Sequence, residues 1–148
     1  DAGPNAGFCP AGVEPWLPVA DDYQQVNVAS ELQGPCSMLS LTRSLIHVRR
    51  SNPALIQGAY RPADDMSPHC FVYLRQLDRN ESGHRCLVAL NFTDTERTVT
   101  LGELGVGSIS LSTHLDRDGP VDLTALRLRP NEGCIIDLPT EQESPLSS

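Results

Sequence analysis

Apolar positions fall into three regimes along this chain. Through residue 35 they follow no period. Phe8, Trp16, Leu17, Tyr23 and Val26 stand singly among prolines and glycines. Loops beyond about 12–15 residues are uncommon in compact domains unless they are functional or belong to something larger. These aromatic and aliphatic side chains also need a surface to pack against. The expectation is therefore a long, fixed loop at the tail of a longer protein, with the chain starting inside that loop.

From residue 36 the spacing becomes helical. Met38, Leu41, Leu45 and Val48 recur at three- and four-residue intervals, and Leu39, Thr42 and Ile46 widen the stripe. The pattern predicts a helix over 36–51. Gly34-Pro35 reads as an N-cap followed by proline at the first helical position. Arg49 and Arg50 suit the carbonyl end of the helix dipole. Ser51-Asn52-Pro53 stops the helix, because a residue before proline is pushed out of helical backbone geometry.

Beyond residue 57 the period drops to two. Strands are predicted at Ala59–Arg61, Cys70–Leu77, Arg85–Phe92, Arg97–Leu101, Ser108–Ser112, Leu126–Arg129 and Gly133–Asp137. Turn-rich stretches divide them, among them Asp78–Gly83, Asp116–Pro120 and Pro130–Glu132. Short strands at roughly 8–12-residue spacing point to an antiparallel sandwich. Residues 139–148 form a polar tail.

Composition narrows the function. No apolar run approaches the roughly 18 residues that would cross a bilayer, so no membrane partner is expected. The net charge is −8, with 19 acidic residues against 11 arginines and no lysine, which disfavours nucleic acid. The five cysteines are an odd number without CxxC spacing and read as reduced thiols in a cytoplasmic protein. The two sequons at Asn80 and Asn91 carry little weight. Asn91 closes an apolar run, which favours a structural role.

Chemistry-bearing clusters are sparse. Asp21-Asp22 and Asp64-Asp65 are adjacent pairs, and neighbouring side chains of extended chain point apart. Asp116-Arg-Asp118-Gly119-Pro-Val-Asp122 faintly suggests a calcium loop, but the glycine is misplaced and the closing glutamate is missing; a tight turn is the better reading. His69, Cys70, His84 and Cys86 are zinc-ligand types. Pairing about a hairpin centred near Asn80 sets Arg75 opposite Cys86, leaving His69 and Cys70 at the far end. Cys70, Cys86 and Cys134 sit on strand patterns as core thiols, and His47 reads as a packing or surface histidine. No metal is expected.

The order of several motifs carries a resemblance. Asn5-Ala-Gly-Phe8, Pro15-Trp16-Leu17-Pro18-Val19 and Tyr23-x-x-Val26-Asn27-Val28 resemble the last barrel loop of α-glucosidases of the α-amylase superfamily. Relatives there include oligo-1,6-glucosidases and sucrose- or trehalose-converting enzymes. Leu45-Ile46-x-x-Arg49, Asn52-Pro53-Ala54-Leu55 and Gly58-x-Tyr60 look like the final barrel helix and its exit. Phe71–Arg75 and Leu87–Phe92 look like the central hairpin of the β-sandwich that follows. Leu111-Ser112-Thr113 and Leu126-x-Leu128-x-Pro130-x-Glu132-Gly133 look like its closing strands. The match runs to Leu138. Where such enzymes often carry Val-Asn before the tyrosine segment, this chain has Val19-Ala20, which leaves the subtype open.

The resemblance implies a mainly β piece: a Greek-key β-sandwich (57–138) preceded by a long loop and one helix left over from a (β/α)8 barrel (1–56). It implies a retaining mechanism on short α-glucosides without an organic cofactor. The aspartate nucleophile and glutamic acid/base of the family lie upstream of this segment, so no catalytic residue is expected here and the partner would be the missing barrel. Asn5, Phe8 and Trp16 would lie on the substrate loop at the C-terminal face of the barrel, where a phenyl ring offers a face to a sugar; that Phe8 and Trp16 simply anchor the loop by burial against the barrel is the other reading, and the favoured one. Two rivals share features. Heavy chains of amino-acid transporters resemble these enzymes without hydrolysing glucosides. A free-standing carbohydrate-binding sandwich would need exposed aromatics on its strands, and the chain has only seven aromatics. Separated from a barrel, the helix would expose its Met38/Leu45 side or its Leu39/Ile46 side.

Overall fold

A computed structural model describes residues 1–63, 69–78 and 83–140. By its internal contacts the chain divides into two compact units, Asp1–Ser44 and Leu45–Ser148.

In the first unit, a 3-10 turn at Pro4–Gly7 and a single helical turn α1 (Val28–Glu31) break the long opening segment. Helix α2 (Met38–Ser51) starts in this unit and ends in the second. The predicted cap is corrected here. Ser37 caps α2, its Oγ accepting the Ser40 N–H at 3.2 Å, and Glu31 accepts the Leu39 N–H at 3.1 Å. A serine oxygen satisfies an orphan amide that Gly34 cannot reach. The helix therefore begins two residues later than its apolar pattern suggested. None of its residues is buried, and Met38, Leu45 and Ile46 are exposed.

The second unit is built on antiparallel strands. After α2, Asn52 leaves the helix in extended geometry and caps the short α3 (Pro53–Gln57) through the Ala54 N–H. The strands are β1 (Ala59–Pro62), β2 (Cys70–Gln76), β3 (Arg85–Asn91), β4 (Arg97–Val99), β5 (Val106–Ser112), β6 (Gly119–Asp122), β7 (Leu126–Leu128) and β8 (Gly133–Leu138). Among the described residues, six form one sheet in the order β1-β2-β3-β8-β5-β6, and β4 pairs with β7 in a two-stranded ribbon. All pairings are antiparallel.

Each predicted strand is present, and one is added. The stretch 116–120 was expected to be turn, yet Gly119-Pro120 opens β6, which pairs with β5 at the sheet edge. Proline is tolerated there because an edge strand leaves one side of its backbone unpaired.

Central strand β3 is buried on both faces, as its unbroken apolar run requires. Leu87 and Ala89 enter the larger core with Val72, Ile109 and Ile136 of the same sheet, Val99 and Leu128 of the ribbon, and Leu123. Cys86 and Val88 face the opposite way, joining Ala54 and Leu55 of α3 and Leu77, with Val48 of α2 packed alongside. Asp137 of β8 fastens this helical lead-in to the sheet. Its Oδ1 accepts Asn52 Nδ2 at 2.6 Å, and its other oxygen accepts the Ser110 hydroxyl.

Candidate functional site

The opening loop carries the three residues singled out by sequence. Asn5, Ala6 and Gly7 adopt positive φ in succession, at 55°, 55° and 81°. Asparagine and glycine tolerate this region, whereas alanine enters it at a cost. The conformation is held by side-chain bonds: Asn5 Nδ2 donates to the carbonyls of Pro10 at 3.0 Å and Val13 at 2.9 Å. Asn5 is thus the loop's internal brace. Strained backbone that its surroundings enforce is concentrated at functional sites.

Beyond the brace, the loop throws its largest rings outward. Phe8 is 84% exposed and Trp16 94% exposed. Both line a mostly apolar concavity of about 710 Å³, together with Pro15, Leu17 and Val26. Asn27, also on its wall, caps α1. Its Oδ1 accepts the Ser30 N–H at 3.1 Å, and Ser30 Oγ accepts the Asn27 N–H at 3.2 Å. The repeated asparagines of the opening motifs therefore have a local cause, which is to fix irregular backbone. The exposed aromatics have no local cause, since nothing within the unit covers them.

A second cluster lies in the antiparallel unit and was missed by sequence reasoning. Glu132 was read as a turn residue, but it is only 1% exposed. Its Oε1 accepts from Ser112 Oγ at 2.6 Å and Arg129 Nη2 at 2.7 Å, and its Oε2 accepts from the Arg129 N–H at 2.8 Å and Arg117 Nη2 at 3.0 Å. Burial alone would raise its pKa. The Arg129 and Ser112 hydrogen bonds and the Arg117 charge outweigh burial and hold the carboxyl at about 2. Arg129 also grips Asp116 with both Nη atoms at 2.6 Å. Hydrogen bonding to Arg129 lowers the Asp116 carboxyl.

His114, Asp116 and Glu132 place their ligand atoms within 4.8 Å of one another. Both carboxylates are already committed to guanidinium groups, so arginine occupies the place a cation would take. Asp122, also in the suspected calcium loop, instead caps the Leu123–Ala125 turn through the Thr124 N–H at 2.8 Å. This cluster ties loops together and offers no free acid for catalysis.

The remaining candidates separate. Cys86 pairs opposite Arg75, as expected, and Cys70 opposite Asn91. Those positions stand about 16 Å apart along the ladder at ~3.3 Å per residue. Asn91 is buried, donating to the carbonyls of Thr95 and Arg129. His47 is exposed. Asp64-Asp65, the turn around Asn80 with its sequon, and most of the polar tail lie outside the described residues. On the sheet, Tyr73 contacts both Tyr60 and Phe71, each with centroids 5.3 Å apart and with planes inclined by 35° and 46° respectively. The rings are packed against each other rather than aligned as a flat platform.

Comparisons with known proteins agree on one lineage. Residues 1–58 match the family described as "Alpha amylase, catalytic domain". The oligo-1,6-glucosidase of Parageobacillus thermoglucosidasius is 29% identical over 140 residues, covering 93% of this chain and 24% of that protein. The trehalose-6-phosphate hydrolase of Escherichia coli is 32% identical over 130 residues, covering 88% and 22%. A crystal structure of the trehalulose synthase of Pseudomonas mesoacidophila superposes with a TM-score of 0.72 at 30% identity, covering 85% of this chain and 22% of that one. The chain thus spans less than a quarter of the length of these relatives.

Proposed function

This chain belongs to the α-amylase superfamily, among relatives that are α-glucosidases, and from that premise we propose that it is the C-terminal part of a retaining α-glucosidase or transglucosidase acting on short α-glucosides. The observation that carries the proposal is the braced opening loop. It falls within the stretch matching the catalytic domain, and it presents Phe8 and Trp16 uncovered around a concavity.

In this reading Asn5 sets the loop's shape, and Phe8 and Trp16 offer ring faces to a sugar on the aglycone side. The reaction itself needs two carboxyl groups about 5–5.5 Å apart, one attacking the anomeric carbon and one protonating the leaving oxygen. By the family resemblance both lie upstream of this segment, so the barrel of the longer polypeptide supplies both. No organic cofactor takes part.

Helix α2 is the final barrel helix. The antiparallel unit is a Greek-key sandwich that supports it, with Asp137 as one point of attachment. All five cysteines are free thiols, which supports a reducing, cytoplasmic setting. Among the described residues no helix is long and apolar enough to cross a membrane.

The test is turnover. A polypeptide carrying this chain behind its barrel is expected to cleave or rearrange at least one of maltose, isomaltose, sucrose and trehalose. The 148-residue chain alone is expected to act on none. Substituting Trp16→Ala should weaken KM with little change in the melting temperature, because the ring is exposed. No turnover of any of the four sugars would overturn the enzymatic reading and favour a non-catalytic, heavy-chain-like protein.

A further inference from the structure

The similar proteins include enzymes named for a neutral substrate and enzymes named for a phosphorylated one, at comparable identity. Charge around the opening loop discriminates between them. Residues 1–42 contain Asp1, Glu14, Asp21, Asp22 and Glu31, and no lysine, arginine or histidine; the first basic side chain of the sequence is Arg43. Asp1 and Glu14 are themselves part of the concavity wall that holds Phe8 and Trp16.

A phosphomonoester carries about −1.5 to −2 at pH 7 and is recognised through arginine, lysine or aligned backbone N–H groups. This wall offers carboxylates where such a group would need cations. An uncharged glucoside meets the same wall without penalty, laying its ring face on an aromatic side chain and leaving its hydroxyls to water.

We propose that the opening-loop concavity is a selectivity element that admits neutral α-glucosides and repels phosphorylated ones, with Glu14 the residue that sets the sign. The proposal rests on the reading of this loop as the border of a sugar pocket. It adds the substrate class and the residue that enforces it.

Trp16 is the sole tryptophan, so its emission reports the concavity directly in the chain as it stands. Titration with trehalose and with trehalose 6-phosphate compares one sugar with and without the charge. Trehalose is expected to shift the emission, and the phosphorylated sugar should need at least about tenfold more ligand, a difference near 1.4 kcal/mol. That gap should shrink in about 0.5 M NaCl, where screening shortens the reach of the carboxylates. Glu14→Lys should narrow or reverse it, and Glu14→Gln should fall between.

Equal response to both sugars, a gap untouched by salt and by Glu14→Lys, or no response to either sugar would each overturn the proposal. Failure of the enzymatic reading looks different: the barrel-containing polypeptide would turn over no glucoside while the selectivity of Trp16 emission persisted.

Discussion

Glu132 is bound twice by Arg129, once through the guanidinium Nη2 at 2.7 Å and once through the backbone N–H at 2.8 Å. The pair closes the turn between β7 and β8 around a buried carboxylate that also holds Ser112 and Arg117. Removing one partner of a buried, hydrogen-bonded pair leaves the other charges facing a site that no longer answers them. Glu132→Gln is expected to cost about 3 kcal/mol, the low end for such pairs because the arginines are part-exposed. Urea unfolding measures it, and a loss below about 0.5 kcal/mol, the range of ordinary surface changes, would show the network to be ornamental.

The same carboxylate sets an acid limit. Its folded pKa of about 2 lies below the ordinary 4.5, so the folded state holds fewer protons than the unfolded chain in that interval. The stabilisation is complete above about pH 4.5 and is lost as pH falls toward 2. Asp116 is displaced in the same direction by Arg129 and adds to the fall. Stability measured against pH should drop through this window in the native sequence and more shallowly in Glu132→Gln. Parallel profiles for the two proteins would contradict the assignment.

Gly58 sits where a strand begins beside a helix end. A Cβ there would lie 2.5 Å from the Ala54 carbonyl oxygen and 2.9 Å from the Gln76 nitrogen, both backbone atoms. Neither neighbour can rotate away, unlike the tip of a side chain. Gly58→Ala is expected to destabilise by about 1–3 kcal/mol, the range for overpacked sites. Gly105→Ala, where a Cβ would meet nothing within 4 Å but φ is +66°, is the companion variant that separates crowding from backbone strain.

Thiol reactivity follows burial. Burial pushes the Cys86 thiol up to about 12, and the neighbouring Asp137 charge adds to the rise. Cys134 is raised by burial as well, despite Arg117 Nη2 at 3.1 Å from its sulfur. At pH 8 an aromatic disulfide reagent should label exposed Cys36 rapidly and leave Cys86 and Cys134 untouched until the chain unfolds. Rapid labelling of either buried thiol in the folded chain would mean that its sheet opens.

The strands were legible because alternation survives wherever one face of a sheet is dry. It reaches further than the turn reading allowed: Leu126, Leu128, Glu132, Cys134, Ile136 and Leu138 are the buried members of one period-two series. That continuity was the available signal that Glu132 points inward. Its partners were not legible, since Ser112 and Arg117 reach it across 20 and 15 residues. Strand β6 was hidden because Gly119-Pro120 has turn composition, and only its pairing with β5 reveals an edge. The cap of α2 was misplaced because two local rules competed, and the serine oxygen at Ser37 prevailed over the Gly-Pro signature. For the opening loop, sequence supplied the motif, whereas the brace from Asn5 and the exposure of Phe8 and Trp16 required coordinates.

The central claim is that this chain completes a retaining enzyme. Its most direct test is the anomeric form of the first product released from isomaltose by the barrel-containing polypeptide, followed by proton NMR before mutarotation. The account predicts α-glucose, or an α-glucoside when a second sugar serves as acceptor. Initial release of β-glucose, or no cleavage of any short α-glucoside, would contradict it.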